Sequence, residues 1–128
     1  MNYDSVFDKW HEECGVFGIY DRTVDVARYV YWGLFALQHR GQESAGIAVT
    51  DGHDVELKKG MGLLTEAIKE LPSLPSYMGT GHVRYSTTGS NNPRNIQPLV
   101  IHYQGGQIAV AHNGNLTNAL SIRKRLEA

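Results

Sequence analysis

Residues 13–20 read Glu-Cys-Gly-Val-Phe-Gly-Ile-Tyr, a glycine-flanked apolar run near the N-terminus, and its Cys14 is the chain's only cysteine. Gly15–Tyr20 has the character of a β-strand, and a cysteine at its leading end is a candidate nucleophile. Removal of the first thirteen residues would make Cys14 a chain terminus. It would then carry its own base, its free α-amine lying beside its thiol. The amine titrates near pH ~7.7–8.0 and the thiol near ~8.5, so proton exchange between them is easy at neutral pH. The competing interpretation is a buried, inert cysteine that fills the core. Cys14 alone favours that interpretation; the rest of the chain reverses it.

Length and composition set the bounds. The 128 residues suffice for one domain with a real core. With 41% apolar and 20% charged residues, the composition is that of a soluble globular protein. A net charge of −1 provides no field for a nucleic acid or a membrane, so neither is expected as a partner. The single cysteine excludes an internal disulfide and a cysteine-ligated zinc or iron–sulfur site within the chain. It also points to a reducing, cytoplasmic compartment. The six histidines show no metal spacing, so no metal ligands are expected. Met1–Glu13 carries Asp4, Asp8, Glu12 and Glu13 without a long apolar run, unlike a signal peptide.

The pattern predicts mixed strands and helices of class α+β, with antiparallel pairs and helices on their faces. After Gly15–Tyr20, Val26, Val30, Leu34 and Leu37 recur at helical spacing up to about Gly41, with Thr23 or Asp25 as cap. Tyr29, Trp32 and Phe35 widen the apolar surface, which predicts a helix covered on more than one side. Ser44–Thr50 reads as a strand, and Asp51-Gly52 as the turn of a hairpin continued by Val55 and Leu57. Thr65–Leu71 is expected to be a short helix stopped by Pro72, and Gly79–Tyr85 a further strand. Leu99–Tyr103 and Gln107–Ala111 flank Gln104-Gly105-Gly106 as a second hairpin. A last helix is expected from about Leu116, capped by Asn115 or Thr117, with Leu116, Leu120 and Arg123 on one face.

Four segments break the pattern of an ordinary core. Gly15 and Gly18 bracket two large apolar residues, as where backbones approach closely. Residues 37–46 place polar and charged groups between an apolar helix and an apolar strand, for which a helix C-cap at Gly41 is the plain alternative. Residues 79–93 form a strand ending in Arg84 that opens into a Ser/Thr/Gly/Asn loop, a candidate lid or simply a long surface turn. Residues 109–118 run from an apolar strand through Asn113-Gly114 to a helix start. That is either a tight turn or an oxyanion hole built from a side-chain amide and a backbone N–H.

Taken together these strings are specific: Cys-Gly-Val-Phe-Gly at 14–18, Leu-Gln-His-Arg-Gly-Gln-Glu-Ser-Ala-Gly-Ile at 37–47, Gly-His-Val-Arg-Tyr-Ser-Thr-Thr-Gly at 81–89 and Ala-His-Asn-Gly-Asn-Leu-Thr-Asn at 111–118. From about Glu13 to Ala128 the chain resembles the glutaminase region of the amidophosphoribosyltransferases. The resemblance implies an N-terminal-nucleophile hydrolase fold, a four-layer αββα sandwich of which this chain holds the N-terminal portion. It implies hydrolysis of glutamine to glutamate and ammonia. The ammonia would pass to phosphoribosyl pyrophosphate to form 5-phosphoribosylamine, the first committed step of purine synthesis. By the same resemblance Cys14 is the nucleophile, and Asn113 and Gly114 are the oxyanion donors. Arg84 grips the substrate α-carboxylate, Tyr85 and Thr87 lie in the loop that closes on glutamine, and Arg40 and Gly41 sit beside the cysteine. His82 and His112 receive no catalytic role and are expected to be structural.

The resemblance also implies a domain plan. Residues 1–13 are a candidate propeptide and 14–128 a partial glutaminase domain, with the phosphoribosyltransferase domain absent. The acidic residue expected to hold the glutamine α-amine would lie beyond Ala128. The expected partners are glutamine, the remainder of the amidotransferase and further copies in a homo-oligomer. No cofactor is expected within the chain; the magnesium that accompanies phosphoribosyl pyrophosphate, and any iron–sulfur cluster, would lie outside it. Residues 1–128 alone are expected to be inactive, because Glu13 acylates the amine of Cys14. Two alternatives stay open: the glutaminase domain of another class II amidotransferase such as glucosamine-6-phosphate synthase, and a non-catalytic fragment.

Overall fold

Helix α1, Val26–Ala36, lies on one face of a four-stranded sheet because the sheet offers it a floor of glycine. The structure, a computed structural model, describes residues 14–41, 43–85, 92–114 and 116–128. The sheet consists of β1 (Gly15–Tyr20), β2 (Ser44–Thr50), β3 (Val55–Met61) and β4 (Met78–Arg84), in the order β1-β4-β2-β3, all neighbours antiparallel. The register aligns Phe17 and Ile47 with Gly81, and Ile19 and Val49 with Gly79. A Cβ on Gly81 would stand 2.7 Å from carbons of both Val30 and Leu34, and one on Gly79 would stand 2.8 Å from Val26. Bare backbone at these two positions therefore sets how closely the helix approaches. Val26, Val30 and Leu34 are buried with Ala45, Ile47, Val49 and Val83 in one core. Full burial of such side chains contributes roughly 1.5–3 kcal/mol each.

The local signals explain the element boundaries. Asp25 caps α1, its Oδ1 accepting from the Arg28 N–H at 3.2 Å. The helix ends at Ala36, earlier than the expected Gly41, and a 3-10 turn, Gln38–Arg40, follows. Tyr29, Trp32 and Phe35 are exposed, so α1 is covered on one face only among the described residues; periodicity does not report what lies on the far side. The helix expected over Thr65–Leu71 is a single turn, α2, Leu64–Ala67. Ile68 leaves the helical region at φ −118°, ψ 87°, and the following chain packs Leu71 and Leu74 against the core that buries Ile68. So short a helix has little stability of its own, and packing overrides its propensity.

On the opposite face stands a second sheet, the hairpin of β5 (Leu99–Tyr103) and β6 (Gly106–Val110). It is tied to the first sheet where Gln107 Oε1 accepts from the Val55 N–H at 2.9 Å. Gly46 of β2 meets the Gln97-Pro98 segment so closely that an added Cβ would overlap the Gln97 carbonyl. Between the sheets lies a cavity of about 760 Å³ whose walls include Tyr20, Ala48, Thr80 and Ile108. The layers are thus helix, sheet, sheet. Helix α3, Ala119–Glu127, has no buried residue. It starts three residues later than expected, with Asn118 at the cap position and no side-chain cap bond; Asn115 lies outside the described residues. No helix among the described residues is long and apolar enough to cross a membrane.

His82 lies on the second face of β4, 1% exposed, with neither ring nitrogen hydrogen-bonded among the described residues. Burial lowers its pKa from 6.5 to about 4; the nearby backbone of His112 opposes this, outside hydrogen-bond geometry. The unfolded chain therefore takes up a proton near pH 6.5 that the folded chain refuses until about pH 4. Stability should fall as pH drops through this window, with a slope of up to about 1.4 kcal/mol per pH unit from this residue. Urea unfolding between pH 7 and 4 checks it: His82→Leu should flatten that part of the profile, and an unchanged profile would contradict it. Gly81→Ala should cost about 1–3 kcal/mol by overpacking. Unfolding at neutral pH measures this, and an unchanged midpoint would mean that α1 can lift off the sheet freely.

Candidate active site

Cys14 immediately precedes β1, whose first residue, Gly15, pairs with Val83 near the end of β4. The pairing brings the cysteine beside the Arg84–Tyr85 end of that strand. The half-buried Cys14 thiol donates to the Tyr85 carbonyl at 3.6 Å. The side chain of Tyr85 lies at the surface.

Two glycines let the turn after α1 reach this point. An added Cβ on Gly15 would lie 3.0 Å from Leu37 Cβ and 3.1 Å from Val83. One on Gly41 would meet the backbone of Val83 and Arg84 at 2.6–2.9 Å. With both bare, the chain crosses the end of β4, and the Nε of Arg40 donates to the Cys14 carbonyl at 3.3 Å. Of the two glycines expected to mark close approach in β1, only Gly15 does so; a Cβ on Gly18 would make an ordinary 3.9 Å contact.

The same carbonyl receives a second donor from across the molecule. Asn113 Nδ2 donates to Cys14 O at 2.7 Å, although ninety-nine residues separate the two. Gly114, next to it, has φ +150°, a region that favours glycine, and an added Cβ there would meet nothing within 4 Å among the described residues. The loop is anchored by Gln97, whose Oε1 accepts from the His112 N–H at 2.7 Å.

Arg84 is held on two sides. Its Nη1 donates to the Asn95 carbonyl at 2.9 Å, and its Nε stands 3.7 Å from Glu43 Oε2. Glu43 also donates its N–H to the Arg84 carbonyl at 3.0 Å.

Six of the residues singled out from sequence therefore meet at one end of the sheet: Cys14, Arg40, Gly41, Arg84, Tyr85 and Asn113, with Gly114 adjoining. Thr87 lies outside the described residues, as do 1–13. Sequence reasoning missed Gln38, Glu43, Asn95 and Gln97. Gln38 joins the turn to α2: its Nε2 donates to the Gly41 carbonyl, and its Oε1 accepts from the Leu64 N–H at 2.7 Å. Gln38 and Glu43 stand inside the polar string at 37–47, which was the available signal; Asn95 acts through its backbone and left none. Among the described residues no group of three or more His, Cys, Asp or Glu side chains could hold a metal ion.

The chain is similar to known proteins in sequence and in fold. The family described as glutamine amidotransferases class-II matches residues 39–127. The amidophosphoribosyltransferase of Methanocaldococcus jannaschii is 51% identical over 117 residues, covering 89% of this chain and 25% of that protein. That of Staphylococcus aureus is 49% identical over 120 residues, covering 91% of this chain and 24% of that protein. The solved glutamine phosphoribosylpyrophosphate amidotransferase from B. subtilis, complexed with ADP and GMP, superposes with a TM-score of 0.77 at 44% identity, over 88% of this chain and 24% of that one. The chain thus spans about a quarter of the length of these relatives. The superposition bears out the expected α+β, N-terminal-nucleophile-hydrolase fold. On the family match over residues 39–127, the chain belongs to the class-II glutamine amidotransferases.

Proposed function

We propose that this chain is the nucleophile-bearing part of a glutaminase that feeds ammonia to phosphoribosyl pyrophosphate, with residues 1–13 a propeptide whose removal frees the amine of Cys14. The observation that carries the proposal is the convergence on Cys14, where Arg40 and Asn113 both donate to its carbonyl while the Tyr85 carbonyl takes its thiol proton. An inert core cysteine has no need of such a frame. The similarity to amidophosphoribosyltransferases in particular supports the choice of acceptor.

In this mechanism the freed α-amine takes the thiol proton and the thiolate attacks the side-chain carbonyl carbon of glutamine. Negative charge builds on the carbonyl oxygen. The Gly114 N–H and the Asn113 amide stabilise it; the amide has two N–H groups, and Cys14 O occupies one. Collapse expels ammonia, which carries away the proton held by the amine, and leaves a thioester on Cys14. Water, deprotonated by the same amine, then hydrolyses the thioester to glutamate and restores the thiol. Arg84 holds the α-carboxylate throughout, a task suited to a guanidinium fork. The remainder of the amidotransferase, in a homo-oligomer, would supply the acceptor site and the group that binds the substrate amine.

Ammonia release from glutamine by three proteins tests the proposal: residues 1–128, residues 14–128, and a full-length protein starting at Cys14. The third should be active and the first inactive, because an acylated nitrogen cannot act as a base; the second should be weak or dead. Cys14→Ser in the third should abolish hydrolysis, while activity with ammonia supplied directly should persist. Robust Cys14-dependent hydrolysis by residues 1–128 would overturn the mechanism. Asn113→Ala should lower kcat by about 10²–10³-fold, or roughly 2.7–4 kcal/mol of lost oxyanion stabilisation. An unchanged kcat would reduce Asn113 to an anchor for the Cys14 carbonyl.

A further inference from the structure

Glu43 stands between the Gly41 crossing and the first residue of β2, and its backbone is fixed from both sides. Its N–H donates to the Arg84 carbonyl at 3.0 Å, and its carbonyl accepts from the Gly62 N–H at 2.7 Å. Its Oε2 is buried, makes no hydrogen bond among the described residues and stands 3.7 Å from Arg84 Nε, with the two side chains 15% and 23% exposed. A buried carboxylate oxygen without a hydrogen bond is costly. What favours it here is the charge of the guanidinium, at a distance too long for a hydrogen bond but within reach of an ion pair.

A guanidinium is a rigid plane with five N–H groups. In Arg84 two of the five are engaged: the Nε–H faces Glu43, and Nη1 gives one hydrogen to the Asn95 carbonyl. The N–H groups left over all belong to Nη1 and Nη2, the pair whose spacing matches a carboxylate. Without Glu43 the plane could turn about its long side chain and present either edge. Ordering it on binding would then cost conformational entropy that the ion pair has already removed.

We propose that Glu43 is a positioning residue that orients Arg84, turning its Nη1–Nη2 edge toward the α-carboxylate of the substrate. The proposal rests on the glutaminase role given above. Glu43 touches no reacting atom in this scheme, so it should govern binding through the carboxylate and leave the chemical step alone.

The test uses the full-length protein starting at Cys14. Steady-state ammonia release is measured for the wild type, Glu43→Gln, Arg84→Lys and the double variant. The substrates are L-glutamine and its α-carboxamide analogue, which lacks the carboxylate. Glu43→Gln, which preserves side-chain size, should raise KM for glutamine about tenfold, equivalent to about 1.4 kcal/mol, and hold kcat within about twofold. KM for the analogue should not change. Arg84→Lys should also raise KM for glutamine, and the double variant should be little worse than Arg84→Lys alone, because the two residues act as one unit. Glu43→Asp keeps the charge but withdraws it by one methylene, and should fall between wild type and Glu43→Gln. A fall in kcat at constant KM, an equal rise in KM for both substrates, or full additivity in the double variant would overturn the role of Glu43. A wild type that releases no ammonia would overturn the glutaminase proposal and this one with it.

Discussion

The spacing between helix α1 and its sheet is set by what Gly79 and Gly81 lack. Any side chain there would collide with Val26, Val30 or Leu34, so the helix rests on the backbone of β4. The close approach also fixes the site. It determines where α1 ends, and the 3-10 turn beyond that end brings Arg40 to the cysteine carbonyl. Gly15 and Gly41 continue the same theme at the margin of the sheet, where Leu37 and the backbone of β4 take up the vacant volume. A chain of contacts that begins in apolar packing thus ends in a polar frame accurate enough for chemistry. Protein interiors are dense enough for such displacements to be transmitted without being absorbed.

Much of this was legible in the residues alone. Alternation and turn dipeptides located the strands to within a residue or so, and of the two candidate caps for α1, Thr23 and Asp25, the structure uses Asp25. Four strings with polar groups in apolar surroundings marked the segments that converge on Cys14. Their meeting was not legible. Asn113 and Cys14 are ninety-nine positions apart, and no local pattern encodes a hydrogen bond across that separation. Gln38 and Gln97 escaped notice for a related reason: each acts as a single bridge between segments, and an isolated glutamine resembles any surface residue. The errors in helix length have another origin. At 65–71 a plausible propensity yielded to the burial of Ile68 and the packing of Leu71, whereas Tyr29, Trp32 and Phe35, expected to be covered, are exposed among the described residues.

The polar groups of the interior follow two regimes. Around Cys14 directed hydrogen bonds tie the described groups together, Arg40 and Asn113 to its carbonyl and its thiol to the Tyr85 carbonyl, which holds the residue in one geometry. One strand away, His82 has no hydrogen bond to either ring nitrogen among the described residues and stays neutral because burial disfavours its charge. The first regime contributes precision. The second ties the stability of the same sheet to mild acid.

Among the described residues β1 lies at the rim of the sheet, with β4 as its neighbour strand. Its ladder begins at the Gly15–Val83 pair, one residue past Cys14, and runs through six pairs to Tyr20. Severing the backbone just before Cys14 therefore removes none of those pairs. A peripheral strand that starts one residue beyond the cut can accept a fresh terminus without being rethreaded, whereas a break within β2 would divide a strand gripped from both sides. The location of Cys14 is thus also a statement about topology: it lies where the chain can be opened without losing any of the described strand pairs.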